Sequence, residues 1–234
     1  MTFKNNILVS ALILLFSFSQ FSCERDDSTD NISRITTYPN FVMSGEELMV
    51  TWVGAGFTDP GVKADAGGAE LSVTSSVTAA YYIVPGKTTP PAVQYGNTFD
   101  ATKPGIYTIT YSAINEDGFP GTTSRTVIVL DKKPDPTVDL SGKYTSGSSP
   151  ASTVTKVADG VFYATNFWGG GSTVVLDGYI LTSDGVNLNV PMQESLVPIY
   201  GYGKRLANGD LDLLMTRPTF SPPLVDQVKL WVKS

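Results

Sequence analysis

Hydrophobic and polar residues alternate along most of this chain with a period of two, the mark of strands that bury one face. The clearest case is Ile106 to Ala113, where Tyr107, Ile109, Tyr111 and Ala113 fall on one side and Ile106, Thr108, Thr110 and Ser112 on the other. Arg125 to Leu130 (RTVIVL) reads as the next strand, and Asn115-Glu116-Asp117-Gly118 between them as a turn, so the pair forms a hairpin. Further on, turn dipeptides recur at Asp159-Gly160, Asp177-Gly178, Asp184-Gly185 and Asn208-Gly209. Between them the pattern predicts strands over 153–157, 161–168, 173–176, 179–182, 186–190, 211–216 and 225–232. No helix-length amphipathic run appears. The expected class is all-β, in two spans separated by the charged, proline-bearing segment Lys132-Lys133-Pro134-Asp135-Pro136.

The first thirty residues break this pattern. Lys4 precedes an apolar run of 12 residues, Ile7 to Phe18, and Ser19 to Ser22 lead to Cys23. Twelve residues are too few to cross a bilayer but suit the core of a signal peptide. Cys23 is the only cysteine of the 234 residues, so it has no disulfide partner within the chain. The segment resembles a lipoprotein signal peptide, cleaved before a cysteine that is then lipid-modified. Gln20 departs from the aliphatic residue usual three positions before that cysteine. The acids of Glu24-Arg25-Asp26-Asp27 resemble the export signal of lipoproteins that reach the outer face of the outer membrane. Residues 24–34 read as a polar tether with a reach of about 36 Å.

The resulting organisation is a signal peptide over 1–22, a lipidated cysteine and acidic tether over 23–34, one β domain over 35–131, a linker over 132–137 and a second β domain over 138–234.

Charge and composition exclude several kinds of chemistry. A net charge of −6 argues against a nucleic-acid partner, which needs a basic surface. The absence of histidine removes the usual general base and most zinc sites. Asp210 and Asp212 are spaced as hairpin-end acids rather than as a glycosidase pair, and Asn208 to Asp212 lacks the length and closing glutamate of a calcium loop. No catalytic residue, metal ligand or cofactor is therefore expected.

Three segments carry a family resemblance. Phe57-Thr58-Asp59-Pro60-Gly61-Val62, Thr102 to Tyr111 (TKPGIYTITY) and Ser124-Arg125-Thr126-Val127 resemble bacterial surface Ig-like domains. That resemblance implies a β-sandwich over about 35–131, of a kind used as a spacer or adhesion module. The Pro-rich stretch from Pro85 to Thr98 is longer than the family pattern and is expected to be a surface loop. Asp159 to Gly170 (DGVFYATNFWGG) resembles the C-terminal domain of two-domain outer-membrane lipoproteins in polysaccharide-uptake systems of the starch-utilisation type. It implies a second small antiparallel sandwich or partly open barrel, a polysaccharide or oligosaccharide ligand, and an outer-membrane transporter as neighbour.

Aromatic rings are the remaining candidate chemistry, because sugar C–H faces stack on them. Phe167 and Trp168 stand beside Gly169-Gly170-Gly171, and Tyr200 and Tyr202 alternate in Ile199-Tyr200-Gly201-Tyr202-Gly203, where glycines leave neighbouring rings open. A domain this small also needs large rings in its core, so each is either a platform or core. Continuous alternation from 161 to 168 would set Phe162 and Trp168 on one face and Tyr163 and Phe167 on the other. The functional expectation is non-catalytic glycan binding at the cell surface; the rival is a spacer or adhesion module that binds another protein. The anchor is tested first: Cys23→Ala should move the protein from the membrane fraction to the soluble fraction, and retention in carbonate-washed membranes would exclude a lipid anchor there.

Overall fold

The computed structural model describes residues 35–85, 94–96, 98–147, 151–168 and 175–234. Cys23, its signal segment and most of the Pro-rich stretch lie outside these residues, as do Gly169 to Gly171. Contact density divides the chain at Thr36, and Thr37–Ser234 form one compact unit that holds both β spans.

Its first half is a sandwich of two sheets. Strands β1 (Asn40–Met43), β3 (Val62–Ala66) and β4 (Ala69–Leu71) form one sheet; β2 (Leu48–Trp52), β8 (Pro120–Leu130), β7 (Gly105–Ile114), β5 (Thr74–Tyr81) and β6 (Gln94–Gly96) form the other in that order. The period-two reading of β7 is reproduced: Tyr107, Ile109, Tyr111 and Ala113 are buried, and the residues between them are half-exposed. Val77, Ala79, Val127 and Val129 complete that core layer, which Met43 and Val62 of the smaller sheet cover. The Asn115 to Gly118 turn closes as predicted, with the Gly118 N–H on the Asn115 carbonyl at 3.0 Å. Strand β8 begins at Pro120, five residues before the expected start, because β7 pairs with it from Pro120 to Val129.

A buried arginine ties the two sheets together. Arg125 on β8 is wholly inaccessible to solvent. It pairs with the Asp59 carboxylate, donates from Nε to the Glu46 carbonyl at 3.0 Å, and bonds the Ser44 carbonyl. The Tyr111 hydroxyl donates to the same carboxylate at 2.7 Å. A charge taken out of water is tolerated only when its donors are satisfied in this way.

The second half is a closed barrel. Strands β9 (Gly142–Thr145), β10 (Ser152–Ala158), β11 (Val161–Ala164), β12 (Gly178–Leu181), β13 (Asn187–Glu194), β14 (Pro198–Arg205), β15 (Leu211–Arg217) and β16 (Leu224–Lys233) pair antiparallel in sequence order, and β16 returns to β9. The sequence pattern left β9 and β14 unassigned and suggested a sandwich or an incomplete barrel. Closure comes from Val232↔Thr145 and Lys233↔Tyr144, a pairing of residues 87 or more positions apart that local pattern cannot show. Full closure removes the free sheet edges that would otherwise invite aggregation. The interior is filled by Leu140, Tyr144, Phe162, Phe167, Ile180, Val190, Ile199, Leu213, Met215 and Trp231, so it is a packed core and not a channel.

The sandwich and the barrel share a second apolar cluster. Ile128 and Leu130 at the end of β8 pack on Val161 of β11 and Leu181 of β12, and all four are fully buried. The segment after β8 is docked rather than free. The Asp135 N–H bonds the Ser183 carbonyl at 3.0 Å, the Asp131 carboxylate accepts from Ser183 Oγ at 2.6 Å, and Lys156 Nζ reaches the Pro136 carbonyl at 2.7 Å. Gly160 lets the halves meet this closely: a Cβ there would fall 2.6 Å from Leu130 Cδ1. Leu130→Ala should therefore destabilise the whole unit by about 2–5 kcal/mol, read as a lower midpoint of one cooperative calorimetric transition. Two separate transitions, with only one of them shifted, would contradict a shared core.

Candidate binding cleft

Three barrel strands present polar residues on their outer faces in register. Leu188 and Val190 of β13, Ile199 of β14, and Leu211, Leu213 and Met215 of β15 point into the core. The alternate positions therefore point out. In the ladder Asn187 stands opposite Lys204, Asn189 opposite Tyr202, and Lys204 opposite Asp212. This patch faces the segment that leaves β5 and the segment that leaves β8. Between them lies an open cleft of about 650 Å³, lined by Tyr82, Asp131, Lys132, Asp184, Asn187 and Tyr202 among others.

Its walls are fixed by hydrogen bonds across the domain junction. The Asn189 side-chain amide pairs with the Ile83 backbone as a strand residue would, accepting from the Ile83 N–H at 3.0 Å and donating to its carbonyl at 2.9 Å. The Asp184 carboxylate accepts from Asn187 Nδ2 at 2.9 Å and from the N–H groups of Val186 and Asn187 at 2.9 and 2.8 Å, with Lys132 at 3.4 Å. Partial burial works against its charge, but these donors outweigh burial and hold the carboxyl well below the usual carboxylate range. Tyr82 behaves in the opposite sense. Burial, and next the charge of Asp131, push its hydroxyl well above the usual tyrosine value, so it stays protonated. That buried hydroxyl has no hydrogen-bond partner among the described residues. The cleft thus combines a ring edge, carboxylates, amides and two ammonium groups.

The aromatic candidates fare differently. Strand β11 ends at Ala164, and the chain then bends, so the alternation expected to continue to Trp168 stops. Phe167 enters the barrel core beside Phe162, with no accessible surface, and cannot stack on a ligand. Tyr200 and Tyr202 do share the outer face of β14, but Tyr200 is only 6% exposed, opposite Thr216. It too lacks an open ring face. Trp168 is half-buried against the core, and its ring is contacted by two cations, Arg217 and Lys229. Tyr202 alone of the four lines the cleft. The flanking glycines have another role than leaving rings open: a Cβ on Gly201 or Gly203 would fall 2.4 or 2.1 Å from a β15 carbonyl. They allow close approach of β14 to β15.

Sequence reasoning missed Asp131, Asp184, Asn187 and Asn189. Asp184 was visible only as a turn residue, and the Asn-Leu-Asn alternation of 187–189 marked an outward polar face without saying what faced it. Asp210, one of the two acids weighed for chemistry, is a turn residue that accepts from Asn208 Nδ2 at 2.7 Å and the Lys233 N–H at 2.9 Å, whereas Asp212 lines the cleft.

Comparison with known proteins gives a family likeness for part of the first half. The family model described as bacterial surface protein, Ig-like domain, matches residues 78–129, from within β5 through β7 to β8. The chain is thus an all-β protein in which a sandwich, similar over residues 78–129 to that surface Ig-like model, leads into a closed barrel. Among solved structures it is similar to the crystal structure of a lipoprotein from Bacteroides thetaiotaomicron, at 21% identity over 84% of this chain and 100% of that one, with a TM-score of 0.35. No curated protein matches the sequence.

Asp184 gives the cleft a pH signature. Its carboxyl is held lower in the folded chain than in the unfolded one, where it titrates near about 3.9. The stability it contributes is present above that value and is lost as pH falls through the lower folded value. Urea unfolding at pH 7 and pH 2.5 should therefore show a smaller acid-induced loss for Asp184→Asn than for the wild type. An equal loss would mean that the donors do not stabilise the charge.

Proposed function

We propose that this chain is a lipoprotein displayed on the outer face of the outer membrane, and that it holds a glycan, without cleaving it, in the cleft between sandwich and barrel. The observation that carries the reading is the composition of that cleft. Hydroxyl-rich ligands are recognised by convergent amides and carboxylates with an aromatic ring beside them. Asn187, Asp212 and Tyr202 supply that set in one concavity. The lipidation motif at Cys23 and the acidic residues behind it support the location, and the match to a bacterial surface domain agrees with it. The resemblance of 159–170 to accessory lipoproteins supports a role beside a polysaccharide transporter.

A rival reading has its own observation. Val228, Leu230 and Val232 alternate on the outer face of β16 and remain exposed, Val228 at 69%. Such an apolar row suits a protein partner.

The two readings separate in an affinity gel. Wild-type protein should be retarded by a polysaccharide that the same cell imports. Tyr202→Ala should lose about 2 kcal/mol of binding, roughly thirtyfold in affinity, with an unchanged melting temperature. Asn187→Ala should weaken retention in the same direction. No retention of the wild type by any imported polysaccharide would sink the glycan reading and leave the apolar row of β16 as the better lead.

A further inference from the structure

Two cations, Arg217 and Lys229, meet on one ring at one end of the barrel. Arg217 ends β15, and its guanidinium carbon lies 4.9 Å from the Trp168 ring centre and 4.7 Å from that of Phe220. Lys229 sits on β16, its ammonium 4.3 Å from the same Trp168 ring. Neither cation takes part in the ion pairs formed among the described residues, which join Lys103, Arg125, Lys132 and Lys156 to acids. Arg217 Nε is buried and has no hydrogen-bond partner among the described residues.

Ring faces attract cations, but each contact contributes little. It does not replace the acceptor that a buried N–H loses on leaving water. It also does nothing to offset the repulsion between two like charges gathered on one ring. Lys229 registers both costs, since burial first and Arg217 second favour its neutral form. Two cations gathered on one ring in a chain of net charge −6 are a local conflict with stability. Conflicts of this kind mark function rather than folding.

We infer that Arg217 and Lys229 form a binding site for an oxyanion carried on a sugar, the carboxylate or sulfate of an acidic saccharide. An oxyanion here would accept from the guanidinium of Arg217 and the ammonium of Lys229, the donors that recognise such groups. Trp168 and Phe220 are positioning residues, because they hold the guanidinium and the ammonium in place. The site is separate from the cleft: Asp212, which lines the cleft, lies five residues back along β15 from Arg217, about 16 Å away. Its failure therefore leaves the cleft reading standing, and the reverse also holds.

The test uses the full chain in detergent and titration calorimetry at constant ionic strength. The probes are hexagalacturonate, a sulfated chondroitin hexasaccharide, inorganic sulfate and neutral maltohexaose. One of the two acidic saccharides should bind at least tenfold more tightly than maltohexaose. Lys229→Gln should weaken that binding at least tenfold while melting no lower than the wild type, because it removes a charge that Arg217 repels. Lys229→Arg should restore it. Arg217→Gln gives a second, independent loss if the lysine variant folds poorly. Equal binding of acidic and neutral saccharides, or unchanged affinity in both variants, overturns the proposal. Binding of inorganic sulfate with no binding of either acidic saccharide overturns the assignment to a sugar.

Discussion

The packing of Ile128 and Leu130 against Val161 and Leu181 is the constraint on which the rest of the molecule depends. These four side chains come from strands of different sheets, and none is accessible to water. Two β modules joined by a free linker would have no fixed surface between them. Here the end of β8 is driven into the barrel wall, the docked segment 131–138 follows it, and the outer faces of β13 to β15 come to rest opposite Tyr82 and Asp131. The cleft is a consequence of that burial. Burying apolar area at about 25 cal/mol per Å² drives the docking, hydrogen bonds such as those between Asn189 and Ile83 set its register, and the exposed Lys132–Asp184 pair contributes little.

Within the sandwich the same principle appears as a polar constraint. Arg125 can be buried only because Asp59, Tyr111 and two carbonyls meet it. This explains why the three segments that resemble the surface Ig-like family carry the resemblance together. The Asp59 of the first, the Tyr111 of the second and the Arg125 of the third are one hydrogen-bonded group. A motif scattered over 67 residues of sequence is a single contact in space.

Legibility in the sequence followed the range of the interaction concerned. Strands whose faces are set by neighbours in the chain were plain: β7 by its alternation, the 115–118 turn by its glycine, most barrel strands by their Gly-bearing turns. Strand β9 was not, because Gly142–Thr145 is short and gains its identity from β10 and β16. Strand β14 was not, because Gly201 and Gly203 weaken the strand signal while serving a close approach to β15 that only the partner strand reveals. Aromatic residues were poorly resolved for a related reason. The bend after Ala164 sends Phe167 inward, and no feature of NFW in the sequence announces it. The outward placement of Tyr202 was legible, since its alternation with Tyr200 is local; what faces it across the cleft was not, since Tyr82 and Asp131 come from the sandwich half.

A cleft that exists only while two modules are docked should respond to ligand on both of its walls at once. The most direct measurement is amide chemical-shift mapping of isotopically labelled protein during titration with an oligosaccharide from a polysaccharide the cell imports. The account predicts that shifts gather at 82–83 and 131–132 from the sandwich side and at 184–189, 202–204 and 212 from the barrel side, with one common affinity. Shifts confined to the outer face of β16 around 228–232, or to one wall alone, would contradict it.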